Sequence, residues 1–444
     1  MNKTLSGGFA AIALACLLQG AGGVAYAADL GGECCGDLDA RIAELEATTS
    51  RKGNRVVSLT VSGQVDRALL FWDDGVDSDT YVVDNAIYTS RFAFEGKGTI
   101  RPGLTAGYVM QIDVNDALSS LVSQSDPDGS GPRPGGDEGP GESSISIRVN
   151  NLYIDSEQLG KVSIGQNYSF NDAVSVPFQV VATYNTDGGP YADGFGLRTS
   201  AGGFAGFNWG QLIGNGPRRN DYLRWDSPSF GGFGVTALVG DNDIWEVGAK
   251  YFTKTDRFAL NTAIDYYDYD AEALGSAGGL SNFQELKGLF SVKDLPSGLF
   301  LTVWAAQRDY ERTLSGVTLG DTGHSLQAFA GIEKRFLPLG NTTIYGGYGV
   351  YNNMASTGLS GAGATALGVG ADGRTDDYVA DAEISRVTFG VIQNIQAAAM
   401  DVYAIAEHYS ADVAVGDLKN IGGATAKADL EDYFTIIVGS NIRF

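Results

Sequence analysis

Apolar and polar side chains alternate with period two along much of this chain. At the C-terminal end, Phe434, Ile436, Val438, Ser440, Ile442 and Phe444 share one face, apolar apart from Ser440. Thr435, Ile437, Gly439, Asn441 and Arg443 share the other, with Ile437 its only large apolar side chain. Such alternation predicts a strand whose two faces meet different surroundings. Val56–Phe71 repeats it: Val57, Leu59, Val61, Gly63 and Val65 point one way, and Ser58, Thr60, Ser62, Gln64 and Asp66 the other. Leu104–Val114 sets Ala106, Tyr108, Met110, Ile112 and Val114 on one face, and Leu299–Arg308 does the same with Leu301, Val303 and Ala305.

The connections alternate in length. Short turns are predicted at Arg101–Gly103, Glu157–Lys161, Ser227–Gly232, Thr253–Asp256, Asp294–Gly298, Leu337–Asn341 and Ile395–Ala398. Between them come loops at Asp73–Asp84, Asn115–Ser143, Phe170–Asn220, Asp241–Asp243, Ala271–Ser281, Glu311–Gly323, Asn352–Asp377 and Ala411–Leu430. Seven turns and eight loops join sixteen strands of about ten residues each, with both chain ends on the short-turn side.

Alternation alone does not separate a soluble sandwich from a membrane barrel; the chain ends do. Lys3, the apolar run Phe9–Leu18 and Ala25-Tyr26-Ala27 read as an export leader over residues 1–27, with the mature chain starting near Ala28. The run is too short to cross a bilayer as a helix, and no other stretch approaches one. Cys16 fits lipoprotein processing poorly, because Ala13 stands where that signal wants Leu. In an exported chain without such a helix, any membrane crossing must be by strands. A last strand ending on Phe444 must then close on the first and leave no edge in lipid. The predicted fold is all-β: a sixteen-stranded antiparallel transmembrane β-barrel over residues 56–444.

Residues 28–55 form a periplasmic segment. In Asp37–Thr49, Leu38, Ile42 and Leu45 fall on one stripe and Asp37 caps the start, which predicts a short helix, folded on the barrel or forming a miniature coiled coil that helps a trimer assemble. Cys34 and Cys35 are adjacent and join only through a strained ring, so they make no disulfide framework.

Sixty-two glycines, 21 Tyr and 21 Phe against two His suit a barrel with aromatic girdles. The formal charge of −23 argues against nucleic-acid partners and predicts a mild cation preference. With His324 and His408 alone, and without serine-hydrolase, zinc or P-loop motifs, enzyme chemistry has little to stand on. Gly346-Gly347-Tyr348-Gly349 lies on a strand and is no dinucleotide site. No cofactor or metal is expected.

Two loops differ from the rest. Asn115–Ser143 carries the acidic, low-complexity run Asp126–Glu138 and is expected to be exposed and mobile. Phe170–Asn220 is rich in Phe178, Tyr184, Tyr191, Phe195, Phe204, Phe207, Trp209 and Leu212, and a long loop with such content needs a surface to pack on. It carries Asp172, Asp187 and Asp193. Inward-phase Arg91, Arg148, Arg224 and Arg308, with Lys97, Lys250, Lys287 and Arg335, can face it across the lumen. Carboxylates opposite guanidinium groups set a transverse field that orients dipolar solutes.

The sequence resembles the general-diffusion porins of alphaproteobacteria, of the rhizobial type. The resemblance rests on Arg51-Lys52-Gly53-Asn54-Arg55 leading to Leu59-Thr60-Val61-Ser62-Gly63, on Thr89-Ser90-Arg91-Phe92-Ala93-Phe94-Glu95-Gly96, and on Asn220–Phe233, with the N-terminal helix and terminal Phe444. It implies a homotrimer in the outer membrane that passes small hydrophilic solutes and ions, with the third loop folded inward to narrow the channel. Ile437, Gly439, Ile442 and Phe444 resemble the signal read by the barrel-assembly machinery. A substrate-specific channel with a sugar track of third-loop aromatics, or an outer-membrane barrel enzyme, are the alternatives.

Overall fold

A computed structural model describes residues 56–115, 117–129, 144–175, 180–181, 183–185, 188–189, 191–214, 219–241, 243–270, 280–314, 317–354, 377–417 and 425–444. The leader, Cys34, Cys35, the N-terminal helix, the run beyond Gly129 to Ser143, Phe178 and Asp187 lie outside the described residues.

The first strands are β1 (Thr60–Asp73), β2 (Ser78–Val83), β3 (Arg91–Arg101), β4 (Leu104–Asn115), β5 (Ser144–Ser156) and β6 (Gly160–Tyr168). The third loop follows, with helix α1 (Phe170–Ser175), the hairpin β7 (Gly196–Arg198) and β8 (Phe204–Asn208), and helix α2 (Trp209–Ile213). The wall resumes with β9 (Arg219–Asp226), β10 (Phe233–Gly240), β11 (Trp245–Lys254), β12 (Phe258–Asp270), β13 (Leu280–Asp294) and β14 (Leu299–Leu314). It ends with β15 (Val317–Leu337), β16 (Gly340–Asn352), β17 (Asp377–Ile395), β18 (Met400–Asp417), the two-residue β19 (Ala426–Lys427) and β20 (Tyr433–Arg443).

Every wall strand pairs antiparallel with its neighbours, and β20 closes the circuit between β18 and β1. Gly63 and Phe444 exchange both backbone hydrogen bonds (2.9 and 3.0 Å), and the Phe444 ring sits 5.9 Å from that of Phe92. With β2 and β3 taken as two parts of one strand and β19 as an appendage of β18, sixteen strands form the barrel. The short turns fall where the alternation placed them.

The outward face is an apolar band in which Val61, Val65, Leu69, Ile154, Ile164, Leu223, Val247, Ile264, Leu301 and Ile442 are exposed. A lipid-facing surface requires this, since each strand must offer hydrocarbon to hydrocarbon. On β20, Ile442 and Phe444 belong to that band, whereas Ile437 is buried in the interior. Gly439 shares the inward phase with Ile437, and an added Cβ there would meet Tyr403 Oη at 2.5 Å.

Several features depart from the sequence expectation. The loop expected at Glu311–Gly323 is mostly strand, since β14 runs to Leu314 and β15 starts at Val317, paired to the tip. The Asp73–Asp84 loop contains β2, which pairs with the upper half of β1 from Ala68↔Val83 to Asp73↔Ser78. The lower half of β1 pairs with β3 instead, from Thr60↔Glu95 to Gln64↔Arg91. Between them, residues 84–90 leave the wall, and Ser90 Oγ covers the gap by bonding the Asp66 N–H (3.0 Å) and carbonyl (3.2 Å). The start of the second loop is packed, not exposed. Val122 is buried there, and the Gln124 amide exchanges two hydrogen bonds with the Gly196 backbone (2.7 and 2.9 Å). Finally, the inward face of β1 turns apolar above Asp66. Leu70 and Trp72 are buried because the third loop lies on them.

Candidate pore constriction

The third loop enters at α1. The first N–H groups of a helix have no partner within it, and a carboxylate satisfies them well. Glu246 of β11 supplies one, accepting from Phe170 N (2.9 Å) and Asn171 N (2.5 Å). The Phe170 ring lies where a Cβ on Gly248 would be, 2.1 Å from its Cδ1, so glycine is needed on that strand. Lys287 Nζ donates to Asn171 Oδ1 (2.6 Å), and Trp304 Nε1 donates to the Val174 carbonyl (2.9 Å). These bonds tie α1 to β11, β13 and β14.

The middle of the loop is bound to the far wall. Tyr184 stacks on Tyr403 with centroids 4.1 Å apart and lies 4.4 Å from Tyr88 of the 84–90 excursion. Its hydroxyl donates to Asp401 (3.2 Å). Asn185 donates to Glu407 (2.6 Å) and accepts from Tyr345, while Arg386 donates to the Gly188 carbonyl. Tyr191 donates to the Tyr184 carbonyl and accepts from Asn85 (3.2 Å). Burial holds the Tyr191 hydroxyl well above its ordinary pKa, so it stays a donor.

The end of the loop packs on the closing strands. Phe195 lies between Trp72 (5.4 Å) and Tyr433 (5.0 Å). Asn208 and Gln211 form a capping box on α2, and the buried Trp209 packs on Tyr409 (5.7 Å) and Tyr433 (6.2 Å). Arg308 Nη2 accepts nothing and donates to the Gly214 carbonyl at the helix end (3.0 Å).

The loop thus covers the interior of β11, β13 and β14 and of β16–β18, β20 and β1. On β3–β6 and β9 a charged cluster stands instead. In β5 the ladder pairs Gln111↔Val149 and Ile112↔Ile147, leaving Arg148 in a bulge. A bulge re-aims a side chain, and here both Arg148 and Val149 are buried inward. Arg148 pairs with Asp113 of β4 (2.8 Å), donates to Tyr168 Oη (2.9 Å) and lies over that ring. Tyr168 Oη donates on to Gln111 (2.8 Å).

Above Gly165 (φ +116°) the alternation of β6 changes phase: exposed Ile164 would place Tyr168 outside, yet the Tyr168 hydroxyl meets Arg148 and Gln111. Asn167 donates back to Ser163 (3.1 Å), and Arg224, opposite Ser163 in the ladder, reaches the Tyr168 carbonyl (2.8 Å). Arg224 also forks onto Asp226 (2.7–3.1 Å). Arg91 stands opposite Asp113, and Arg219 opposite Tyr168. The charges of Arg148, Asp113 and Asp172 act on both Arg91 and Arg219.

Of the residues singled out from sequence, Arg91, Arg148, Arg224 and Asp172 therefore meet around Tyr168. Arg308 does not join them. It is buried on Glu285 (2.6–2.7 Å) beneath the end of the third loop. Asp193 lies in the turn before β7, its carbonyl accepting from Gly210 N (3.2 Å). Lys97, Lys250 and Arg335 are exposed, and Lys287 is buried under α1. Sequence reading missed Arg219. Strict alternation from outward Leu223 and Trp225 sends it to lipid, and only Gly165, as a bend signal, hints otherwise.

No curated protein matches the chain. Among solved structures it is similar to an anion-selective porin from Comamonas acidovorans, 15% identical over 87% of this chain and 100% of that one, at a TM-score of 0.52. The trimer form of OmpT, an outer membrane protein of Vibrio cholerae, is 14% identical over 88% and 100%, at 0.50. OprB of Pseudomonas putida, in its high-pH structure, is 12% identical over 92% and 97%, at 0.50. At these identities the likeness is one of fold. The Gram-negative porin family model matches residues 10–412, most of the chain, and with a closed sixteen-stranded barrel and an inward third loop this protein belongs to that family.

Proposed function

We propose that this porin is a passive, water-filled diffusion channel for small hydrophilic solutes and ions, working in the outer membrane as a homotrimer of the alphaproteobacterial general-diffusion type. The observation that carries the reading is the one-sided third loop: it is bound to the β11–β14 and β16–β1 walls, while the β3–β9 wall keeps its charged cluster. Arg91, Arg148, Arg219 and Arg224, with Asp113 and Asp172, make the constriction. A field across this gap favours hydrated and dipolar solutes over apolar ones. Trimer contacts would use the apolar outer band, and the family's subtype rests on the stretches around Arg51–Gly63, Thr89–Gly96 and Asn220–Phe233.

A substrate-specific channel with an aromatic sugar track has less support. Tyr184, Tyr191, Phe195, Phe207 and Trp209 are buried against the wall and offer no ring face to a solute. The family and the fold favour a channel over an enzyme.

Single-channel recording of the refolded protein tests the reading. Conductance steps that close in thirds are expected, and a silent bilayer would overturn it.

We also propose that the leader over residues 1–27 exports the chain and that Ile437, Gly439, Ile442 and Phe444 direct insertion by the barrel-assembly machinery. Deleting Phe444 removes two backbone bonds to Gly63, about 0.5–1.5 kcal/mol each, and the ring against Phe92. A several-fold fall in outer-membrane yield, with the in vitro refolded barrel still conducting, is the expected result. Unchanged yield would remove Phe444 from the insertion signal.

A further inference from the structure

The constriction charges do not all cancel. Arg148 is committed to Asp113 and Arg224 to Asp226. Arg91 and Arg219 are half-buried, and among the described residues neither guanidinium has a hydrogen-bond or ion-pair partner. Asp172 acts electrostatically on both, yet bonds neither through its carboxylate. Arg91, Arg148, Arg219 and Arg224 against Asp113, Asp172 and Asp226 leave this cluster one positive charge in excess, in a chain whose formal charge is −23.

We propose that Arg91 and Arg219 form an oxyanion station in the channel, taking small solutes that carry a carboxylate or phosphate group. The inference deepens the porin reading and rests on the β3–β9 side being the open path. Guanidinium forks match the paired oxygens of such groups, and half-burial weakens competition from water. Because neither guanidinium has an acceptor among the described residues, an entering oxyanion displaces no ion pair among them. The Asp172 carboxylate beside the two arginines repels it and shortens its stay, which conduction requires, since a site must release what it binds. Other interior carboxylates are engaged: Glu246, Asp401 and Glu407 are buried and bonded to the third loop, and Glu285 is paired with Arg308. Carboxylates exposed to solvent are screened by salt beyond about 8–10 Å.

The test is a planar-bilayer titration of inorganic phosphate, and separately acetate, into potassium chloride, with wild type, the R91Q/R219Q pair and D172N. Wild type should show a saturable, voltage-dependent reduction of current by at least one of the two anions. Block by both identifies the general oxyanion as ligand, and block by phosphate alone narrows it to phosphate-bearing solutes. R91Q/R219Q should keep an open channel but weaken the block about tenfold, the worth of one charge-assisted hydrogen bond. D172N should strengthen it, which keeps the idea testable if the double variant folds poorly. A conducting wild type that neither anion blocks, or a block unchanged in R91Q/R219Q and D172N, overturns the station and leaves the porin reading intact. A channel that does not conduct at all overturns both.

Discussion

Trp209→Ala should free the end of the third loop and raise single-channel conductance. Trp209 is buried on α2, a helix of a single capped turn that cannot stand alone. Its ring packs on Tyr409 and Tyr433, which belong to β18 and β20, so it is the peg between loop and closing strands. Truncating a buried Trp costs about 3–5 kcal/mol, more than the capping box of α2 returns at about 1 kcal/mol. The barrel should survive, because its own ladders do not pass through Trp209. The loop should then open locally, with α1 and the Tyr184 stack still attached through Glu246 and Tyr403. Noisier, larger unitary currents and faster proteolysis between Ala192 and Gly214 are the expected signs. Unchanged current with unchanged protease resistance would show that the Tyr184–Arg386 region holds the loop without help from Trp209.

Arg308→Ala should be the more damaging change to stability. The guanidinium makes two contacts with Glu285 (2.6 and 2.7 Å), and it donates to the carbonyls of Met354 (3.1 Å) and Gly214 (3.0 Å). It also lies 4.7 Å over the Phe283 ring. Both charged partners are buried, and Lys287 is the other cation on Glu285, at 3.3 Å. Removing one partner of a buried ion pair costs about 3–5 kcal/mol, chiefly because the other charge stays behind without compensation. Arg308→Lys should recover little, since a single ammonium cannot serve the carboxylate and two carbonyls together. Arg308→Met with Glu285→Met should cost much less than Arg308→Ala, because both charges leave. Urea unfolding of the refolded barrel reads all three. If the double variant is as unstable as Arg308→Ala, packing and not charge accounts for the effect. Arg308 is thus a structural tie under the loop, although its inward phase alone made it a constriction candidate.

The contrast between Arg308 and Arg219 shows what alternation reports. It gives the side of the wall, and it was right that Arg308 points inward. It does not say whether the inward side is open or covered, which depends on Gly214 and Met354 from remote loops. For Arg219 it fails, because the phase changes above Gly165 and Tyr168, the ladder partner of Arg219, meets Arg148 and Gln111 instead of lipid. Arg148 was recovered for a reason that alternation does not contain, a bulge opposite Gln111 and Ile112.

The sequence by itself determined the strand count, the lipid face and the placement of the short turns, though not every long connection. Each follows from local rules: lipid demands an apolar side chain at every second position, and turns demand Gly, Pro, Asn or Asp at fixed places. Only the tertiary structure decided the interior. Asn85 bonds Tyr403 at a sequence separation of 318, and Tyr184 bonds Asp401 at 217. No local period encodes such partners. The split second strand follows from the same fact, since residues 84–90 leave the wall to meet Tyr184 and Tyr191 inside it. The charge balance of the cluster around Tyr168 was decided there too: the whole chain is strongly acidic, but Arg148 and Arg224 pair with Asp113 and Asp226, and among the described residues the guanidinium groups of Arg91 and Arg219 beside them have no such partner.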